Sequence, residues 1–235
     1  MTAIEHRFES REDLLDALYP AVVAELEKSL AEQSSATLLL SGGSTPAPLY
    51  RQLAGADLDW ANIDVALVDE RWVETDDDAS NERLLRETLL RERAAKARFT
   101  GMKNDAASAD AGADACNRDY ARLPAPYSLC MLGMGADGHT ASLFPNARGL
   151  DRALASECHC AAIHAQRSEV TGDNLERMTM TPWAILQARK LILLISGDDK
   201  WRVYLQARQN GASAALPVSL FIAQDRVPVE VYWAP

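Results

Sequence analysis

Tyr127-Ser-Leu-Cys-Met-Leu-Gly-Met-Gly-Ala-Asp-Gly-His-Thr-Ala-Ser-Leu-Phe-Pro145 is the stretch on which the reading of this chain turns. Its first residues form an apolar run that predicts a buried strand over Tyr127–Leu132. Three glycines follow (Gly133, Gly135 and Gly138), then His139, then a small-residue turn closed by Pro145. Glycines directly after a buried strand let the backbone approach a ligand closely. His139 therefore stands where a strand's C-terminal end opens into a crevice, the usual place for chemistry in an open α/β sheet. By letter, Gly133-Met-Gly-Ala-Asp-Gly138 also matches the dinucleotide fingerprint. Pro145 cuts short the helix that the fingerprint needs, and the downstream strand does not end in an acid, so a nicotinamide cofactor is not expected. Histidine directly after the third glycine suits an acid–base site better. The plainer role, a structural ring bonded to a loop carbonyl, is disfavoured by the flanking Asp137 and glycines.

Working outward, strands and helices alternate. Ser10-Arg-Glu-Asp13 reads as an N-cap, and Leu14, Leu15, Leu18, Val22, Val23, Leu26 and Leu30 recur at helical spacing. Ala36-Thr-Leu-Leu-Leu-Ser41 predicts a buried strand, broken by Gly42-Gly-Ser-Thr-Pro46, with Pro46 suited to the first turn of a helix towards Leu53. Ile63–Val68 predicts a second strand, Ser80-Asn-Glu the start of another helix, and Asp105–Leu123 a fourth helix stopped by Pro124 and Pro126. Ala161–His164 and Lys190–Ile195 read as strands, Met178–Gln187 as a turn and a helix, Gly197–Tyr204 as a turn and a helix, and Val229–Tyr232 as a last strand. The pattern predicts an α/β fold: one domain over residues 1–235, a mostly parallel sheet with helices on both faces, three layers in all and Rossmann-like in a modified form.

Four strand ends carry unusual residues: Ser41–Thr45, Asp69–Arg71, Gly133–His139 and Gly197–Lys200. In a parallel sheet these ends converge on one edge, so no single motif has to be decisive. Gly42, Gly43, Ser44 and Thr45 open a helix and offer N–H and hydroxyl donors to an anion; an ordinary capped turn is the alternative. The P-loop ending Gly-Lys-Ser/Thr is absent. Arg71 can grip a phosphate or carboxylate with two N–H groups, and Asp69 can bind sugar hydroxyls or orient a catalytic group, unless the two form an internal ion pair. Arg177 and Lys200 are candidate phosphate ligands or simply solvated cations.

Bulk properties narrow the class. The 235 residues carry a net charge of −10, which argues against a nucleic-acid surface but not against a small anionic substrate held by a few focused cations. No apolar run is long enough to span a bilayer and the N-terminus lacks a signal-peptide core, so a cytoplasmic protein is expected. The four cysteines lack zinc-knuckle spacing; Cys158 and Cys160 are expected to share one face of a strand. Neither a serine elbow nor a His-Glu-x-x-His motif occurs, so hydrolysis, if it occurs, would use activated water without metal or acyl-enzyme, and no cofactor is expected.

These pieces resemble a known family, the 6-phosphogluconolactonases, grouped with the glucosamine-6-phosphate isomerases. The matching segments are Leu40–Pro46, Val68–Val73, Ser80–Leu85, Leu132–Pro145, Glu176–Thr179 and Ser196–Lys200, in the family's order and over nearly the whole chain. The resemblance implies opening of 6-phospho-D-glucono-1,5-lactone to 6-phosphogluconate in the oxidative pentose phosphate pathway. It implies that His139 is the general base, with Asp137 and Asp69 positioning it or the sugar hydroxyls. Backbone N–H groups near Gly135, with Arg71, would stabilise the oxyanion. Gly42–Thr45, Arg71, Arg177 and Lys200 would hold the phosphate. The segment before Arg177 departs from the family pattern and offers Arg167 as an extra cation. A monomer is expected, a dimer being the alternative.

Three other functions compete with this one. The isomerase/deaminase branch continues its Asp–Gly–His with an acidic residue near the proline, and Thr140-Ala-Ser-Leu-Phe-Pro145 has none. A sugar-phosphate sensor of a transcription regulator would bring a basic DNA-binding segment, which is missing at the N-terminus. An oxidoreductase would rest on the discounted glycine fingerprint alone.

Overall fold

The apolar runs at Ala36–Ser41, Ile63–Val68, Tyr127–Leu132 and Lys190–Ile195 form the middle of a seven-stranded parallel sheet. The computed structural model describes residues 3–235. In chain order the elements are β1 (Ile4–Arg7), α1 (Arg11–Gln33), β2 (Ala36–Leu40), α2 (Ala47–Ala54), β3 (Ile63–Leu67), β4 (Asp69–Arg71), α3 (Asn81–Thr88), β5 (Arg98–Thr100) and α4 (Ala109–Tyr120). They continue with β6 (Leu129–Gly133), α5 (Leu150–Ala155), β7 (Cys160–His164), β8 (Glu176–Met180), α6 (Pro182–Ile185), β9 (Leu191–Ser196), α7 (Asp198–Asn210), α8 (Ser219–Ile222) and β10 (Val229–Ala234). Strand order in the large sheet is β1-β10-β9-β6-β2-β3-β5. Every residue of β2 and β3 is buried, as expected for strands covered on both faces.

The order explains the layers. From β1 the chain steps in one direction, through α1 to β2, α2 to β3 and α3 to β5. From β5 it turns back through α4 to β6, then to β9, then through α7 and α8 to β10. Right-handed crossovers put helices of opposite step direction on opposite faces. In agreement, α1 packs on α2 and α2 on α3, while α7 packs on α8. The predicted caps are present: Ser10 accepts from the Asp13 N–H and Ser80 from the Arg83 N–H. The apolar stripe of α1 buries Leu14, Leu18, Val22 and Leu26. Burying each such side chain contributes roughly 1.5–3 kcal/mol before the entropy of ordering it is counted.

Three expectations need correction. Met178–Gln187 holds the expected helix, at Pro182–Ile185, with a turn after it, but it opens as a strand, Glu176–Met180, that was not expected. Ala161–His164 does not join the parallel sheet. It lies in β7, which pairs antiparallel with β8, and β8 pairs antiparallel with β4, making a second, three-stranded sheet. β4 leaves the main sheet after Val68, whose N–H bonds Leu40 and whose carbonyl accepts from Met180. Cys158 and Cys160 do not share a strand face; Cys158 precedes β7 and is exposed, whereas Cys160 is buried. Short strands such as β1, β4 and β5, the last only three residues long, carry too few residues to show a period of two.

Candidate active site

A cavity of about 370 Å³ lies at the C-terminal ends of β2, β6 and β9, walled on one side by β4 and β8. Its position follows from the topology. β2 and β6 are parallel neighbours. From β2 the chain steps to β3 on one side, and from β6 it goes to β9 on the other. This is the switch point of the sheet, where the two departing loops diverge and leave a crevice. The loops are Ser41–Pro46 and Gly133–His139, two of the four strand ends singled out in the sequence, and the other two also reach the cavity. Residues 134–148 contain no helix, which accords with discounting the dinucleotide fingerprint.

His139 lines the cavity with its imidazole half-buried. Its Nδ1 lies 2.6 Å from Asp137 Oδ1. Burial works to raise the Asp137 carboxyl, but the hydrogen bond from His139, and the charge of that ring whenever it is protonated, outweigh it and hold the group below the ordinary aspartate value. An ionised carboxylate only accepts hydrogen bonds, so Nδ1 carries the proton and the Nε2 lone pair is left for the cavity. Gly135 makes this geometry fit: a Cβ there would lie 2.1 Å from Nδ1 and 2.6 Å from the Asp137 oxygen. The buried ring of Phe144 packs on the imidazole with centroids 4.3 Å apart.

The opposite wall is cationic. β4 and β8 place Arg71 directly across from Arg177. Like charges in that position repel, and an anion between them relieves the repulsion. Arg177 is buried, and burial, with Arg71 beside it, lowers it to about 10, while Asp69 and Glu70 act the other way; it remains charged at neutral pH. Its Nε donates to the Asn174 carbonyl at 2.6 Å and an Nη to Thr171 at 3.1 Å. Arg71 donates to the Ala79 carbonyl at 2.6 Å, while its buried Nε has no acceptor. Lys200, on the first turn of α7, is lowered by burial and by Arg11, against the pull of Asp137.

Two acids hold this wall in place. Glu70 is buried and accepts from the N–H groups of Arg71, Asn81 and Glu82 and from the Ser80 hydroxyl. Burial still pushes its carboxyl up against those four bonds. The position is a helix N-terminus, which favours an acid. Asp69 accepts from Ser142 Oγ at 2.6 Å, so its carboxylate braces the His139 loop through Ser142 and not through the imidazole. Asn81 donates to the Asp69 carbonyl and packs so close to Gly42 that a Cβ on Gly42 would lie 1.8 Å from its oxygen.

The structure thus brings together Gly42, Gly43, Ser44 and Thr45, with Asp69 and Arg71, around one cavity. Gly135, His139, Arg177 and Lys200 complete it, and Asp137 stands behind His139. Two expectations change. The Gly135 N–H donates to the His139 carbonyl at 3.0 Å, so it closes the turn and is not a free oxyanion donor. Arg167 pairs with exposed Asp173 at 2.8 Å and does not line the cavity. Sequence reasoning missed Asn81, Phe144 and Val170 as lining residues. Asn81 and Phe144 lie inside quoted motifs but carry no chemistry that marks them by type. Among the described residues no group of three His, Cys, Asp or Glu side chains is placed to hold a metal ion.

Residues 9–233 match the family model of glucosamine-6-phosphate isomerases/6-phosphogluconolactonase. The chain is 38% identical to a 6-phosphogluconolactonase of Rhizobium meliloti over the full length of both, and 39% identical to one of Pseudomonas aeruginosa over 91% of this chain and 87% of the relative. A crystal structure of a 6-phosphogluconolactonase from Shewanella baltica superposes with a TM-score of 0.94 at 37% identity, covering 99% of this chain and 98% of that one. With a match of this extent, the chain belongs to the glucosamine-6-phosphate isomerase/6-phosphogluconolactonase family.

Proposed function

We propose that this chain, acting as one domain, hydrolyses 6-phospho-D-glucono-1,5-lactone to 6-phospho-D-gluconate, the second step of the oxidative pentose phosphate pathway. The observation that carries the reading is the 2.6 Å Asp137–His139 pair facing the same cavity as Arg71, Arg177 and Lys200. His139 Nε2 takes a proton from water as the water oxygen attacks the C1 carbonyl. The tetrahedral intermediate collapses, the ring C1–O5 bond breaks, and the imidazolium returns the proton to O5. Asp137 keeps the tautomer and stabilises the transient imidazolium. Arg71, Arg177 and Lys200, with the Gly42–Thr45 turn, hold the phosphate and so orient the lactone for attack. Arg71 also carries N–H groups that suit the developing oxyanion. The reading needs no metal or cofactor. No helix among the described residues is long and apolar enough to cross a membrane. Four free cysteines accord with a reducing compartment, and a monomeric cytoplasmic enzyme is part of the same proposal.

The test is the decay of freshly generated lactone at neutral pH with wild type, His139→Ala and no enzyme. Fast decay with wild type and near-spontaneous decay with a folded His139→Ala protein supports both activity and base. Equal decay in all three overturns the reading, and glucosamine 6-phosphate turnover becomes the next assay. Fast decay with both proteins keeps the activity and removes His139 from its centre.

A further inference from the structure

Phe144 is placed by the scaffold and not by the histidine it touches. The turn that carries it is tied down at three points: Thr140 Oγ1 donates to the Gly133 carbonyl at 2.7 Å, the Ser142 N–H donates to Thr179 Oγ1 at 3.2 Å, and Ser142 Oγ donates to Asp69 at 2.6 Å. Leu143, between Ser142 and Phe144, is fully buried. The ring of Phe144 therefore presents a fixed wall, itself only 4% exposed. Two side chains lean on it. The His139 imidazole lies at 4.3 Å between centroids with planes 37° apart, and the Arg177 guanidinium carbon lies 5.5 Å from the ring centre. An aromatic face carries negative charge density and attracts cations.

We propose that Phe144 is the positioning residue of His139: its ring fixes the plane of the imidazole while Asp137 fixes Nδ1, and its face favours the imidazolium that forms when water is deprotonated. The proposal rests on the hydrolase reading for the second half of that statement, and on geometry alone for the first. The charged groups that share the site with the imidazole are Asp137 on its own loop, Asp69 and Arg71 from β4, Arg177 from β8 and Lys200 from α7. Of these only Arg177 also meets the Phe144 ring, so an unchanged KM shows that this guanidinium has kept its place and that a shift in titration reports the contact of the ring with His139.

The variants are Phe144→Leu, which keeps an apolar wall without an aromatic face, and Phe144→Tyr, which keeps the ring. Lactone hydrolysis is followed across pH with enzyme-free decay subtracted. The His139 ring Cε1–H resonance, assigned by its loss in His139→Ala, is titrated in parallel. In Phe144→Leu we expect kcat to fall about tenfold with KM within about twofold of wild type. We expect the acid limb of kcat and the His139 titration midpoint to move to lower pH by about half a unit, the size of one lost aromatic–cation contact. Phe144→Tyr should restore kcat, the limb and the midpoint. A Phe144→Leu protein whose midpoint coincides with wild type overturns the proposal, as does one in which only KM or thermal stability changes. Wild type leaving lactone at its spontaneous rate overturns the hydrolase reading instead, and the resonance titration still decides the role of the ring.

Discussion

Gly135→Ala is the sharpest single perturbation of this site. Gly135 does not have a positive φ, so alanine is tolerated by the backbone there and only the added methyl matters. That methyl would stand 2.1 Å from His139 Nδ1, 2.2 Å from Cε1 and 2.6 Å from Asp137 Oδ1. Ordinary contact is about 3.5 Å, so the imidazole must retreat by about 1 Å or more. It cannot retreat freely, because the Phe144 ring lies 4.3 Å away and is itself anchored. Either the 2.6 Å bond to Asp137 breaks or the imidazole leaves its plane. A misplacement of about 1 Å at a reacting group costs on the order of 100-fold in rate. The expected outcome is a kcat lower by about two orders of magnitude. KM and inhibition by inorganic phosphate should stay close to wild type, because the nearest neighbours of the methyl are His139 and Asp137 and not the phosphate-holding cations. Initial rates, phosphate inhibition and a melting curve on the purified variant check this. A Gly135→Ala enzyme with kcat within about threefold of wild type refutes the reasoning, since it would mean that the observed imidazole position is not the working one.

Two further outcomes follow from the charges. The Asp137 carboxyl has its folded-state value depressed, so the pair stabilises the folded protein above the unfolded aspartate value near pH 4 and the contribution disappears as pH falls through the depressed value. Urea unfolding from pH 7 to pH 3 should therefore show wild type more stable than Asp137→Asn at neutral pH, with the gap closing in acid; a gap independent of pH contradicts the linkage. In Arg71→Met, the lost bond to the Ala79 carbonyl and the relieved repulsion from Arg177 act in opposite directions, so the melting temperature should stay within a few degrees of wild type. KM for the lactone should rise about tenfold or more and inhibition by inorganic phosphate should weaken in step. A large fall in melting temperature with KM unchanged would make Arg71 a structural residue.

Much of this was legible in the sequence because burial on both faces leaves a plain trace. Leu38, Leu39 and Leu40 read as a covered strand and are one, with no exposed surface. Glycines, a capping serine and a histidine at a strand end each have a local physical meaning, so the loops at Gly42, Gly135 and His139 were identifiable before any fold was known. The partner of His139 was identifiable only in part. Asp137 and Asp69 were equal candidates by type, and only the fold gives Asp137 to the imidazole and Asp69 to Ser142.

What the tertiary structure alone decided is everything that depends on residues far apart in the chain. The sequence by itself determined the alternation of strands and helices, the buried runs and the loops that carry chemistry, since each is written in spacings of a few residues. It could not say that β4 leaves the main sheet to pair with β8, because a three-residue strand has no period to read. That pairing is what sets Arg71 across from Arg177 and makes a cationic wall from two residues more than 100 positions apart. Nor could it say that β2 and β6 are neighbours, which puts their two glycine loops on either side of one crevice. Strand order is a choice among global packings that bury nearly the same side chains, so local propensity is silent on it and the packed structure makes the selection.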